Sequence, residues 1–235
     1  VDVGTSREEA AIKGEEVSAM NEKHGYIPDP DRLRSTFDSI KAAALFERFK
    51  RNDTWQVPTL VVFYQEREIA EPGLQASDSL VGYMPELLAR YWRSMPVSVA
   101  TKMVALGDFH SDLVRRLNRV GVPILAGSDS PNPFVYPGFS LHDELALLVR
   151  AGLTPAEALR TATINPARFL GLTDSLGTVA VGKVADLVLL DANPLADIGN
   201  TKRIRAVIQG GRLMNRDMLD AMLVAAKARA AVNSN

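Results

Sequence analysis

The sequence predicts an α/β fold, with helices alternating with short parallel strands up to about residue 170 and a β-rich tail beyond. Two nearly continuous apolar runs, near residues 57–63 and 122–126, have the β-branched character of strands buried on both faces. The segments around and between them carry helical periodicity. Past Gly171 the pattern changes to short strand-like runs separated by Gly-Lys, Asn-Pro and Gly-Gly turns. Two strands do not close a parallel sheet, and a complete (β/α)8 barrel takes about 250 residues for the barrel alone. The sequence therefore reads as part of a larger α/β protein.

Element by element, Ser6 to Lys23 has a helical pattern, with Ser6 as N-cap, Glu9 completing a capping box and His24-Gly25 as the stop. Pro28-Asp29-Pro30 breaks the chain before a second helix over 32–51, with Leu33, Phe37, Ile40, Ala44 and Leu45 near helical spacing. The run from Trp55 to Tyr64 is too short for a helix and reads as a buried strand. A polar connection over 65–82 leads to a long amphipathic helix whose stripe is Val99, Met103, Leu106, His110, Leu113, Leu117 and Val120, ended by Gly121. Val122 to Ala126 is the second strand, delivering a polar tip at Gly127-Ser128-Asp129-Ser130. After a proline-rich loop over 131–137, one helix runs from Ser140 towards Gly152, and another opens with Thr154 as N-cap, Pro155 and Glu157. In the tail, Leu176–Val181, Val184–Leu190, Ile204–Gln209 and Arg212–Met214 read as strands, and a last helix spans about Arg216–Ala231.

Composition narrows the chemistry. In 235 residues, 46% hydrophobic and 23% charged, there is apolar material for one sizeable core, which excludes a disordered or fibrous chain. Lys and Arg total 27 against 28 Asp and Glu, so no global field draws nucleic acid or an anionic membrane. Apolar runs such as Leu60–Tyr64 fall far below the roughly 18 residues that span a bilayer. With no cysteine there is no disulfide, thiol nucleophile or Cys-ligated metal, so any metal must use His, Asp or Glu. The chain starts at Val1 rather than Met, which leaves localisation open.

Asp129 is the first candidate, because it follows an apolar strand at the end where barrel enzymes carry their catalytic side chains; the plainer alternative is a cap for the turn before Pro131. His142 stands in the first turn of the next helix. It either contacts a substrate or bonds to the preceding loop beside the Leu141, Leu145, Leu148 stripe. His110 lies in the apolar stripe of its helix and reads as a core histidine, and His24 as a charge partner for a helix C-terminus. His110 with Asp112, and His142 with Glu144, are i, i+2 pairs that point about 200° apart and do not chelate one ion. Gly177 to Lys183 has the spacing of a phosphate-binding loop, but Val184 follows where Ser or Thr is needed, and a strand follows instead of a helix. Gly182-Lys183 reads as a hairpin turn. A Ser/His/Asp hydrolase built on Ser128 or Ser140 lacks the Gly-x-Ser-x-Gly elbow.

Three stretches carry a resemblance: Val122-Pro-Ile-Leu-Ala-Gly-Ser-Asp129, Pro137-Gly-Phe-Ser-Leu-His142-Asp-Glu-Leu145, and Ala151-Gly-Leu-Thr-Pro through Thr163-Ile-Asn-Pro-Ala-Arg-Phe-Leu-Gly171. Together with Leu176 to Asp191 they resemble the metal-dependent amidohydrolase superfamily, near its imidazolonepropionase-like and prolidase-like members, and Trp55-Gln-Val-Pro-Thr-Leu60 looks like that family's seventh barrel strand. The resemblance implies the C-terminal half of a distorted TIM barrel over 1–172, strands of a small β-sandwich over 173–214, and a C-terminal helix and tail over 215–235. It implies a metal centre, usually Zn²⁺, that activates water against an amide or related bond in a small molecule or dipeptide. The family's ligands are a His-x-His, a carboxylated Lys or a Glu, two further histidines, and an Asp on the eighth strand. Only the Asp has a counterpart here, Asp129, which the resemblance makes a metal ligand and proton acceptor. Ser128, Asn132 and His142 are the expected substrate-binding residues. On this reading the chain alone holds no complete metal site, is inactive by itself, and self-associates through open strand edges, possible homo-oligomers included. The rival from another class is a non-catalytic chain that keeps the fold for binding or assembly.

Overall fold

The computed structural model describes residues 3–21, 27–65, 79–94 and 97–232. The expected helix stop at His24-Gly25 lies outside them, as does 66–78 of the polar connection. In chain order the helices are α1 (Glu9–Asn21), α2 (Pro30–Ser35), α3 (Ser39–Arg51), α4 (Leu60–Gln65), α5 (Glu86–Arg93), α6 (Val97–Val120), α7 (Ser140–Arg150), α8 (Pro155–Thr161) and α9 (Ile164–Phe169). Strands β1 (Leu187–Leu190), β2 (Ile204–Gln209) and β3 (Arg212–Met214) follow, and α10 (Arg216–Val232) closes the chain. No described helix is long and apolar enough to cross a membrane.

Several expectations change at the N-terminal end. Glu9 makes no capping box. Its carboxylate pairs with Lys13 and Lys41, which holds it down at a pKa of about 2, while Ser6 Oγ accepts from the Glu8 amide. The predicted helix over 32–51 is two helices. Thr36 donates its hydroxyl back to the Arg32 carbonyl, and Asp38 caps α3 by accepting from the Ile40 and Lys41 amides at 2.9 Å each. The break shifts the helical phase, so Ala42 and Phe46 are buried, whereas Ile40 is 83% exposed and Ala44 is exposed. Asp38→Ala leaves two first-turn donors without that acceptor; thermal unfolding should show a loss of about 1 kcal/mol.

The largest correction concerns the first predicted strand. Only Gln56 pairs as a strand would, in a parallel bridge with Ile124: its amide donates to the Pro123 carbonyl at 3.0 Å and its carbonyl accepts from Leu125 at 2.9 Å. Pro58 offers no donor to continue the ladder, Thr59 turns into the left-handed region at φ 48°, and the apolar run coils into α4. Leu60, Val61 and Tyr64 then fall on one buried face against α6 and α7. The second run also contributes only the Ile124 bridge. Its other side is held by side chains and loops: Asn165 Nδ2 donates to the Ile124 carbonyl at 2.9 Å, and the Ala126 amide to the Thr161 carbonyl at 3.0 Å. That is the physical use of the Thr-Ala-Thr-Ile-Asn-Pro stretch.

Most other elements fall where the pattern places them, although the strand expected over Val184–Leu190 begins only at Leu187. The α6 stripe buries Leu106, Leu113 and Leu117 and ends at Gly121, φ 84°. The capping box at Thr154 and Glu157 is present. The tail forms an antiparallel sheet of order β1-β2-β3, with Val188 opposite Val207 and Ile208 opposite Leu213, turned at Gly210-Gly211. The expected strand over Leu176–Val181 is absent: no described strand lies beside it, and Val179 and Val181 point into solvent. Gly182 adopts φ 88° in a turn where Lys183 Nζ bonds the Thr173 carbonyl and Thr178 hydroxyl, both at 2.6 Å, so no hairpin forms there. In the sheet, Val188, Leu189 and Leu213 are each more than half exposed.

Among the described residues the packed interior has three parts. Leu60, Tyr64, Val114, Ile124, Leu145 and Leu148 join α4, α6 and α7 around the bridged segment. Ile12, Leu33, Phe46, Phe109 and Leu117 form a second group under the N-terminal helices. Met84, Trp92, Phe134 and Tyr136 form the third, beside the loop that follows Asp129.

Candidate functional site

Asp129 is exposed at the end of the bridged segment, in the left-handed region at φ 52°, which Asp tolerates better than most side chains. Its carbonyl accepts from the Asn132 amide at 3.2 Å and from Asn132 Nδ2 at 2.7 Å. One of the two Asn132 side-chain N–H donors therefore closes the turn. Ser130 Oγ donates to the Val135 carbonyl at 2.9 Å, and Phe134, also left-handed at φ 58°, is driven into the interior. There its ring centroid lies 5.5 Å from that of the fully buried Trp92, with Tyr136 at the same distance on another side. The aromatic anchor thus fixes the far end of the loop while the bridged segment fixes the near end.

Glycine at 127 is required by close approach. A Cβ there would meet Val57 Cγ1 at 2.5 Å and Thr59 Cγ2 at 3.6 Å, so the two bridged segments touch at the step before Ser128-Asp129. Gly127→Ala should force Val57 aside and lower stability by about 1–3 kcal/mol, read from a denaturant midpoint.

Of the four expected site residues, hydrogen bonds unite Asp129 and Asn132, and Ser128 lies between Gly127 and Asp129, half-buried. His142 sits apart in electrostatic terms. It is half-buried in the first turn of α7, its pKa lowered by burial and by the Lys202 charge, with Asp143 opposing. Lys202, on the short 3-10 helix Ile198–Lys202, pairs with Asp143 at 2.5 Å, which places this turn of α7 against the tail. His110 packs edge-on to Phe63 at 4.4 Å between ring centroids. It also lines a cavity of about 270 Å³ with Gln56, Val57, Pro58, Leu113, Val114 and Leu117, a lining that excludes Asp129.

Two features escaped the sequence reading. Among the described residues Trp92, on α5, is the largest fully buried side chain, and it lies in a stretch, 83–98, given no element above. Glu144, fully buried on α7, accepts from the Val61 amide at 2.8 Å and also from Leu60, and burial raises its pKa from 4.5 to about 7. Its signal was present: a carboxylate inside the Leu141, Leu145, Leu148 stripe belongs to the buried face of the helix. Among the described residues, no three His, Asp or Glu side chains gather as a metal site.

The sequence profile of the amidohydrolase family matches residues 67–214, more than half of the chain, and the chain belongs to that family. It is 36% identical over 195 residues to the imidazolonepropionase of Geobacillus kaustophilus, covering 80% of this chain and 44% of that protein. Among solved structures it is similar to a bottromycin amidohydrolase (TM-score 0.58, 24% identity, 75% of this chain and 40% of the other). It is similar also to a prolidase complexed with N-methylphosphonate-L-proline (TM-score 0.53, 26% identity, 77% and 38%). The chain spans less than half the length of these relatives.

Proposed function

We propose that this chain supplies Asp129 to a metal-dependent hydrolase that breaks a carbon–nitrogen bond in a small molecule, a cyclic amide or a dipeptide. The observation that carries the reading is the placement of Asp129: an exposed carboxylate at the tip of a segment clamped on both sides, in a chain of the amidohydrolase family. The imidazolonepropionase likeness favours the cyclic amide, and the prolidase likeness supports the dipeptide. We read residues 1–172 as a C-terminal part of a TIM barrel, 173–214 as strands of a small β-sandwich, and 215–235 as a C-terminal helix and tail.

Zinc hydrolases hold their metal with about three protein ligands plus water, and one carboxylate is one donor. We place the metal's remaining ligands outside the described residues, among which no three His, Asp or Glu side chains gather. The part that falls to Asp129 is proton transfer. Ionised, its carboxylate takes a proton from the water whose oxygen attacks the carbonyl carbon, and returns it to the nitrogen as the carbon–nitrogen bond breaks. Ser128 and the loop to Tyr136 flank the substrate, and His142, neutral near pH 7 by its lowered pKa, offers a hydrogen bond rather than a charge.

Elemental analysis after purification in zinc-supplemented buffer tests the reading. The chain alone should retain no stoichiometric zinc. A chain extended by the portion of the relatives that this one does not span should retain it and hydrolyse members of a panel of cyclic amides and dipeptides. Near-stoichiometric zinc on the chain alone, lost in Asp129→Asn, would place the whole centre here and overturn the shared site. An extended chain that holds zinc and hydrolyses nothing favours the binding rival.

A further inference from the structure

We propose that Glu144 is a positioning residue for Asp129: from inside α7 its carboxyl ties down Leu60 and Val61, and the Val57–Thr59 segment held between them and Gln56 braces Gly127, chiefly through Val57, two residues before Asp129. The inference rests on the reading of Asp129 above.

The position is a costly one for a carboxyl. Glu144 is 0% exposed within an apolar helix face, where a leucine would bury without penalty. What offsets the cost is a pair of backbone donors, the amides of Leu60 and Val61, the latter at 2.8 Å. These are first-turn donors of α4, which no residue of their own helix satisfies. The cap comes instead from a side chain 83 residues further along. The bond from Val61 falls on Oε2, while Oε1 is buried with no hydrogen-bond partner among the described residues.

The turn needs holding. Thr59 stands at φ 48°, where a β-branched residue is strained. Upstream, Gln56 is fixed by its two bonds to the Val122–Ala126 run. Downstream, Glu144 fixes Leu60 and Val61. Between the two tethers, Val57 and Thr59 lie so close to Gly127 that a methyl group there would overlap Val57. A shift of the 57–59 segment is therefore passed by Val57 to Gly127, and from it to Ser128 and Asp129.

Backbone amide NMR of the perdeuterated chain separates the two roles, with Glu144→Gln as the shape-conserving variant and Glu144→Asp as the one too short to reach the turn. The expected result is that both variants move the Leu60 and Val61 resonances and, with them, those of Gly127, Ser128 and Asp129, Glu144→Asp more than Glu144→Gln. Shifts confined to α4, with 127–129 unmoved, would overturn the proposal. In an extended chain that hydrolyses a substrate, Glu144→Asp should lower kcat about tenfold with KM within twofold, and Glu144→Gln should recover most of it; a change in KM alone would count against the proposal. Absence of hydrolysis in the unsubstituted protein strikes the reading of Asp129, and the resonances still decide whether Glu144 sets its position.

Discussion

Asp129→Asn is expected to lower hydrolysis by the zinc-loaded, extended protein by about 10²–10⁴-fold, the range that a positioned general base contributes. The substitution is chosen because it should leave the backbone alone. Asn is at home in the left-handed region where Asp129 stands, and the two bonds from Asn132 go to the main-chain carbonyl, which the change does not touch. The side chain is exposed, so no buried partner is orphaned. Stability should stay within about 0.5 kcal/mol, the ordinary scatter for surface changes. The measurement is a paired one, the initial rate on the best substrate and the thermal midpoint of the same preparation. A variant that keeps a tenth of the rate would move the proton-transfer role elsewhere. A variant that loses rate and stability together would make Asp129 a structural cap, the alternative that its turn position raises.

What could be read in the sequence follows from what is local. The α6 stripe, the Thr154 capping box and the Gly210-Gly211 turn are set by residues within a few positions of each other, and each stands where the pattern puts it. Asp129 was legible as a polar residue after an apolar run, because the run is buried whether or not it forms a long strand. The failures are of the opposite kind. The stretch Leu60–Tyr64 has β-branched character, but its conformation is decided by a carboxylate on α7 and by the lack of a ladder partner beyond Gln56. The helix over 32–51 breaks because Asp38 finds two amides to cap, a local competition that periodicity alone does not weigh. The strand over Leu176–Val181 carries a fair pattern but has no described neighbour to pair with. The bond from Asn132 Nδ2 that closes the Asp129 turn is visible only once the loop's path is known.

The same buried carboxyl that braces the Asp129 turn should make the protein's stability depend on pH in the direction opposite to most acidic residues. Glu144 has its pKa raised from 4.5 to about 7, burial being the main cause and the bonds from Val61 and Leu60 opposing it. Between those two pH values the folded protein holds a proton that the unfolded chain has released, so its stability falls as pH rises. The contribution is fully present below pH 4.5 and is lost as pH passes through about 7. The rise corresponds to roughly 3 kcal/mol at 1.36 kcal/mol per pH unit, or on the order of 6–12 °C in Tm for a chain of this size. Glu144→Gln stays neutral throughout, and its Tm should therefore gain on that of the unsubstituted protein from pH 5 to pH 8. Glu144→Ala removes the acceptor altogether, strands two buried amides, and should cost about 1–3 kcal/mol at every pH. Thermal melts of the three proteins in matched buffers decide the matter. If the difference between Glu144→Gln and the unsubstituted protein is the same at pH 5 and pH 8, Glu144 does not titrate in this window, and the dry, carboxyl-capped turn described above is not the state of the folded protein in solution.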